Sequence, residues 1–351
     1  MTSVVNLPGN PVEIEFGFEQ AQEFISEPFF KDMEEMRLTT FEDDILGKRQ
    51  LAFSNNYGKG GKADTGCGLD FEGSLTFKQK FWDPVPIKDP KEQCWNDLFP
   101  SLIQYANKGG VARKDLTQND IFMALQSMRL KDQLVKDVHR RMWFSDTSFV
   151  DGDFTNGATD KVFYNIYNGL WQQIFESVDA SESFNSPITE NGEATIPAQL
   201  ALAADRAFLV FIAMVEGADT RLTDQGDQVI GVTKTLYDNF ASFLESKDTF
   251  NSFSRIEDGF TTLNFRGIPI VRMASWDRHI QADFKTGAPV YDLPHRALLT
   301  SKQNLHMGVD RSRSLTDIEQ WYDRDQELWK SKSSTMEDAK LIHGFMTATA
   351  Y

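Results

Sequence analysis

The sequence predicts a mixed α+β fold in which helices and strands are partly segregated along the chain. Three observations carry this. Ile121, Leu125, Met128, Val135, Val138 and Met142 recur at spacings of 4, 3, 7, 3 and 4, the apolar stripe of one long helix. QVIGVT (228–233) is a short apolar run of the kind found in buried strands, and FTTLNF and IPIVRM (260–273) form a strand pair around Arg266 and Gly267. From Pro294 the chain is mostly strand-like, through RALLT, NLHMGV, SLTDIEQW, DQELWKS and KLIHGFMTA.

Composition limits the function classes. The 351 residues suggest two compact units or one large core with extensions. Apolar residues make up 40% and charged residues 25%, enough for a sizeable core. There are 52 acidic and 36 basic residues, a formal charge of −16, which repels nucleic acid at long range and argues against a free DNA-binding regulator. Cys67 and Cys94 alone cannot make a disulfide scaffold. The start MTSVVNLPGNPVEIEF lacks the blocks of a signal peptide. The longest apolar run, Ala207 to Val215, is far below the ~20 residues of a membrane span. The expectation is a soluble, cytosol-made protein.

The elements follow in order. Residues 1–50 hold eleven acidic and four basic residues, yet carry Phe16, Phe18, Phe24, Phe29 and Phe30. They read as an arm with partial helix that must pack on something. In 46–90, Gly58, Gly60, Gly61, Gly66 and Gly68 lie between two strand-like flanks, a long hairpin with a flexible tip closed by Pro84 and Pro86. A short helix is expected from about Glu92 to Asn107. The long helix starts at the TQND cap (117–120) and spans 118–143; from Asp120 to Met142 it would be roughly 35 Å long. Its other face carries Lys131, Lys136, Arg140 and Arg141, expected to be solvated or ion-paired. A second helical patch covers Gly169 to Ser177. Thr195 is expected to cap one helix running through LALAADRAFLVFIAMVEG, and Thr233 another with Leu236, Phe240, Phe243 and Leu244 on a stripe.

No motif supplies chemistry. GKGGKADTG lacks the spacing of a phosphate-binding loop. DGDFTNGATDKV has Asp151 and Asp153 at calcium-loop spacing, but Gly157 falls one place late and Val162 stands where a Glu is required. The five histidines are scattered, and the cysteines lie 27 residues apart, so no zinc spacing occurs. Asp277, Arg278 and His279 are consecutive, so on a strand or turn they cannot converge on one site; a salt-linked loop is expected. No catalytic residue, cofactor site or metal site is expected. The 28 phenylalanines fit a Phe-rich core, or a chain that also buries area against copies of itself.

The order of acidic arm, glycine-tipped hairpin, long helix, alternating segment and strand-rich end resembles the major capsid proteins of tailed bacteriophages, with the Hong Kong 97-like fold. The likeness is strongest in LVKDVHRRMWFSD (134–146), GLWQQIF (169–175), FTTLNFRGIPIVRMASWD (260–277) and LLTSKQNLHMGVD (298–310). It implies an N-terminal arm (1–45), an E-loop hairpin (46–90) and a P-domain (91–194) with a spine helix (118–143) and inserted loops. An A-domain (195–285) and strands returning to the P-domain (286–351) complete it. It further implies a non-enzymatic shell protein that assembles as hexamers and pentamers around phage genomic DNA, in a virion made in the host bacterial cytoplasm. The implied partners are the chain itself, a portal, and scaffolding or decoration proteins, with only weak non-specific DNA contact and no membrane. Intersubunit contact is expected at Tyr57, Lys59, Lys62, Phe71, Phe77 and Phe81 of the E-loop, with both lysines meeting an acidic surface such as a neighbour's arm. Two rival readings are an encapsulin-type nanocompartment shell protein and an unrecognised enzyme with its site in 195–285.

Overall fold

The computed structural model describes residues 3–7, 10–14, 38–43, 45, 47–56, 76–94, 136–247, 254–257, 260–286, 290–310, 319–323, 326 and 328–351. In the arm, residues 15–37, on which the expected partial helix falls, lie outside the described residues, and three strands occur among those described. β1 (Ser3–Leu7) pairs with β2 (Asn10–Ile14), and β3 (Thr40–Asp43) joins a larger sheet. β4 (Gln50–Asn56) and β5 (Thr76–Phe81) are the flanks of the expected hairpin, whose tip lies outside the described residues. β6 (Val85–Cys94) corrects two expectations. It runs through Pro86, the second of the two prolines expected to close the hairpin, and on through Pro90, and Glu92 lies in this strand rather than starting a helix. The two prolines share one parity, so their missing N–H groups fall on one edge, and β6 pairs only with a single strand among the described residues.

The described part of the expected long helix is α1 (136–144); 118–135 lies outside the described residues. Val138 and Met142 of its apolar stripe are buried, but so are Arg141 of the basic face and the neighbouring His139. α2 (Ala158–Lys161) and α3 (Leu170–Asp179) follow. The single helix expected from Thr195 is instead two, α4 (Ile196–Gln199) and α5 (Arg206–Gly217). Gln199 explains the break: its amide donates to Asn191 O and Tyr291 O and accepts from Tyr291 N–H, fixing the chain where the helix would continue. The N–H of Ala207, in the first turn of α5, then donates to the Asn239 side chain at 3.0 Å.

After α6 (Thr220–Thr223) and β8 (Gln228–Val232), Thr233 does precede α7 (Lys234–Ser246), with Leu236, Phe240 and Leu244 buried as expected. Its hydroxyl does not cap, because it is turned toward Thr235 and the Arg296 N–H. The Lys234 N–H is taken by Asp277 at 2.7 Å. β9 (Ser254–Glu257), β10 (Phe260–Phe265) and β11 (Ile268–Arg272) include the expected hairpin, turned by Arg266 and Gly267 at φ of +50° and +86°. The segment around Asp277 is not a loop but α8 (Ala274–Ala282). On it Asp277 points to α7, while His279 lies 3.6 Å from Asp283, so the two serve different partners. Short β12 (Lys285–Thr286) and β13 (Val290–Tyr291) lead to β14 (Ala297–Ser301), β15 (Leu305–Val309), β16 (Glu319–Asp323), β17 (Leu328–Leu341) and β18 (Thr347–Ala350).

Seven strands, counting β7 (Phe184–Asn185), form one sheet in the order β7-β18-β14-β8-β11-β10-β9. Its two faces feed two cores. Val229, Val271 and Leu298 pack with Trp143, Trp171 and Trp276 on one side. Ile230, Val232, Ile270, Ala297 and Leu299 pack with Phe211, Phe240 and Phe265 on the other. Successive side chains of a strand face opposite ways, so a strand covered on both faces must be apolar throughout, which is why QVIGV does not alternate. Each tryptophan of the first core stands edge-on or tilted to the other two, at centroid distances of 4.7 to 6.2 Å.

The second sheet is built on the long strand β17. Its first half pairs with β16 and its last residues with β15, while β6 runs along it on the other edge; Glu337 pairs with both Val309 and Val85. β3 adds parallel to β15.

Candidate functional site

The end of β17 is where the hairpin is fastened, and it forms from three neighbouring residues. Asp338 accepts the Asp83 N–H at 2.7 Å, immediately after the hairpin's second strand. The Leu341 carbonyl accepts the Lys80 ammonium at 2.5 Å. The Trp82 N–H donates to Arg49 O at 2.8 Å and closes the ribbon at its base. Burial pushes the Asp338 carboxyl up, while the Asp83 N–H and the Lys340 ammonium at 3.1 Å pull it back.

Packing locks the same point. Trp82 is fully buried, and its ring lies with Ile45 over Gly308 of β15. A Cβ at Gly308 would lie 1.8 Å from Ile45 Cδ1 and 3.0 Å from the Trp82 ring, so only glycine admits both side chains. Gly231 of β8 serves Leu38 in the same way, with Leu38 Cδ2 at 2.5 Å from such a Cβ. Two glycines in mid-strand therefore receive the residues that flank β3. Between them, Thr40 Oγ1 donates to Lys302 O at 2.9 Å, and the His306 ring lies 3.0 Å from Glu42.

The same stretch of β17 holds two helices. Glu337 takes Arg141 of α1 in a two-bonded pair, and Gln173 of α3 bonds to Ala339 O and Leu341 N. Burial alone would lower the Arg141 pKa; Glu337 reverses this and holds it above the ordinary arginine value. The neighbouring Tyr167 phenol is pushed well above its usual range by burial, reinforced by Glu337.

Of the expected contact residues, Phe81 stands at the hairpin base, 40% exposed, with the Lys48 ammonium 5.9 Å from its ring centre. Phe77 lies on β5 with its backbone opposite Asn55. Tyr57, Lys59, Lys62 and Phe71 lie outside the described residues. Around Phe81 the surface carries exposed Lys48, Arg49, Gln50, Gln79 and Lys80. Among the described residues this is a basic ledge with one aromatic ring. Sequence reading missed Trp82, Gly308, Ile45 and Asp338. The signals available were a tryptophan directly before Asp-Pro and a glycine inside an apolar strand.

No family model and no curated protein matches the chain. Solved structures do. A chain of the satellite phage P4 procapsid, which includes the size determination (Sid) protein, is 12% identical with a TM-score of 0.59, over 93% of this chain and 89% of that one. A chain of Mycobacterium phage Ogopogo is 10% identical with a TM-score of 0.50, over 90% of each. The holo-SrpI encapsulin complex of Synechococcus elongatus PCC 7942 has a chain 8% identical with a TM-score of 0.48, over 92% of this chain and 87% of that one. The fold is thus the α+β, Hong Kong 97-like one expected from the sequence.

Proposed function

We propose that this chain is a major capsid protein of a tailed phage, assembling as hexamers and pentamers into an icosahedral shell around phage genomic DNA. The observation that carries this reading is the structural likeness, over nearly the full length of both chains, to a chain of the P4 procapsid. The anchored hairpin supports it. A ribbon fastened so firmly at its base, with a basic aromatic ledge, is built to reach a neighbour.

In this reading 46–90 is the E-loop, 1–45 the arm, 91–194 and 286–351 the P-domain with its spine helix 118–143, and 195–285 the A-domain. Tyr57, Lys59, Lys62, Phe71, Phe77 and Phe81 make the intersubunit contact. The role is structural rather than catalytic. A portal fills one vertex, scaffolding or decoration proteins act on the shell, and the particle is assembled in the bacterial cytoplasm. Negative-stain imaging of the purified full-length protein tests the reading. Closed shells of uniform size are the expected result; monomers or small oligomers at every concentration and salt condition that favours association would overturn it.

A further inference from the structure

A cavity of about 340 Å³ opens between the residues that follow α1 and the loop that leads into β14. Phe149 and Phe175 stand in its wall beside three carboxylates, Asp146, Asp153 and Asp292. Behind them Arg296 is 2% exposed, with its guanidinium 5.1 to 5.6 Å from the ring centres of Phe144, Trp171 and Phe175. Its Nη2 donates to Asp292 at 3.1 Å, so one carboxylate is neutralised from within.

The other two are not. Asp146 accepts the N–H and the hydroxyl of Ser148, both at 2.7 Å, and Asp153 accepts the Val150 N–H at 2.9 Å. Neither has a cationic partner among the described residues. Asp146 is only 7% exposed, and a buried carboxylate without a counter-ion is costly. Among the described residues no three acidic, histidine or cysteine side chains converge as metal ligands. The cavity fits a longer cation with an apolar stem. A lysine side chain lays its methylenes along aromatic rings and carries its ammonium to carboxylates.

We propose that this cavity receives a lysine from a second copy of the chain, supplied by the stretch YGKGGKADTG (57–66). That stretch carries Lys59 and Lys62 next to Gly58, Gly60 and Gly61. Lys59 lies between two glycines and Lys62 between Gly61 and Ala63, so no bulky side chain stands beside either lysine to bar its entry. The counter-surface for the hairpin tip is then the cavity of Asp146 and Asp153, not the acidic arm that the sequence suggested. This inference rests on the assembly reading above.

The test uses particles of the full-length protein assembled from equal amounts of isotope-labelled and unlabelled copies. A zero-length carbodiimide couples touching amines and carboxylates, and peptide mass spectrometry identifies the joined residues. The expected result is mixed-label peptides joining Lys59 or Lys62 to Asp146 or Asp153. Asp153→Asn, which keeps the oxygen that accepts the Val150 N–H, should remove its share of these links. It should also raise the subunit concentration for half-assembly about two- to fivefold. Particles in which both lysines are joined elsewhere, joined only within one copy or not joined at all would overturn the inference and leave the assembly reading standing. If no particles form, both fall.

Discussion

Arg141 and Glu337 face each other as a two-bonded ion pair, at 2.9 and 2.7 Å, with both side chains buried between α1 and β17. The Thr335 hydroxyl donates to the same carboxylate at 2.8 Å, so the acid accepts three hydrogen bonds. A pair of this kind fixes register more than it adds stability, because desolvation offsets much of the attraction.

Arg141→Met is therefore expected to lower unfolding stability by about 3–5 kcal/mol, since it strands a buried carboxylate. The double variant Arg141→Met, Glu337→Met should recover most of that loss. Urea midpoints of the two variants, at unchanged slope, decide it; equal losses in both would mean that packing, not charge, dominates.

At Gly308 the expectation is steric. Gly308→Ala should cost about 1–3 kcal/mol through overpacking against Ile45 and Trp82. Amide hydrogen exchange should quicken in β3 and at Trp82, ahead of the seven-stranded sheet. Uniform exchange across the chain would contradict this local seat.

Asp277 gives a pH signature. Burial first, against the Lys234 N–H that it accepts, pushes its pKa up to about 6. In the unfolded chain it ionises near the ordinary carboxylate value, about 3.9. Between those values the folded state holds a proton that the unfolded state has lost, so this residue makes stability fall as pH rises from 4 to 6. Asp277→Asn keeps an oxygen for Lys234 without the charge. It should raise stability at pH 8 by up to about 2 kcal/mol and flatten that slope. Thermal melts across pH 4–8 are the measurement, and a parallel shift at all pH values would refute the assignment.

The hairpin tip carries a prediction about assembly. Replacing 57–66 with Asn-Gly should leave circular dichroism unchanged, because the ribbon is fastened at Trp82, Asp83 and Lys80. Closed shells should be lost. Normal-sized, heat-resistant particles from the shortened chain would show that the tip is idle.

DNA contact should be weak and salt-sensitive, as the charge of −16 requires. Gel-shift titration at physiological salt should show no duplex binding in the nanomolar range, where specific binders work, at roughly 10⁻⁸ to 10⁻¹¹ M.

Much of the fold was legible because local pattern and tertiary place agree there. The 228–232, 260–272 and 297–309 strands each carry a short apolar or alternating run with turn residues at its ends, and each became a strand. The failures lie where a distant partner decides. The Thr233 hydroxyl lost its capping role to contacts with Thr235 and with the Arg296 N–H, 63 residues on. Arg141 looked like a surface cation until Glu337 met it across 196 residues. Pro86 reads as the close of a strand, yet β6, paired on one side only among the described residues, runs through it. The seat of the hairpin was illegible for the same reason. Gly308 is informative only once Ile45 and Trp82 are known to cross it.

Trp82 over Gly308 acts as a fulcrum. The seven residues of β4 carry the ribbon roughly 23 Å outward from that point. A lateral push at the far end becomes a torque on the last residues of β17. Those residues also hold α1 through Glu337, α3 through Ala339 and Leu341, and β3 through Val309 and its neighbours. A load on the ribbon is thereby shared among three parts of the fold, and one that tilts the ribbon must also strain the Arg141 pair.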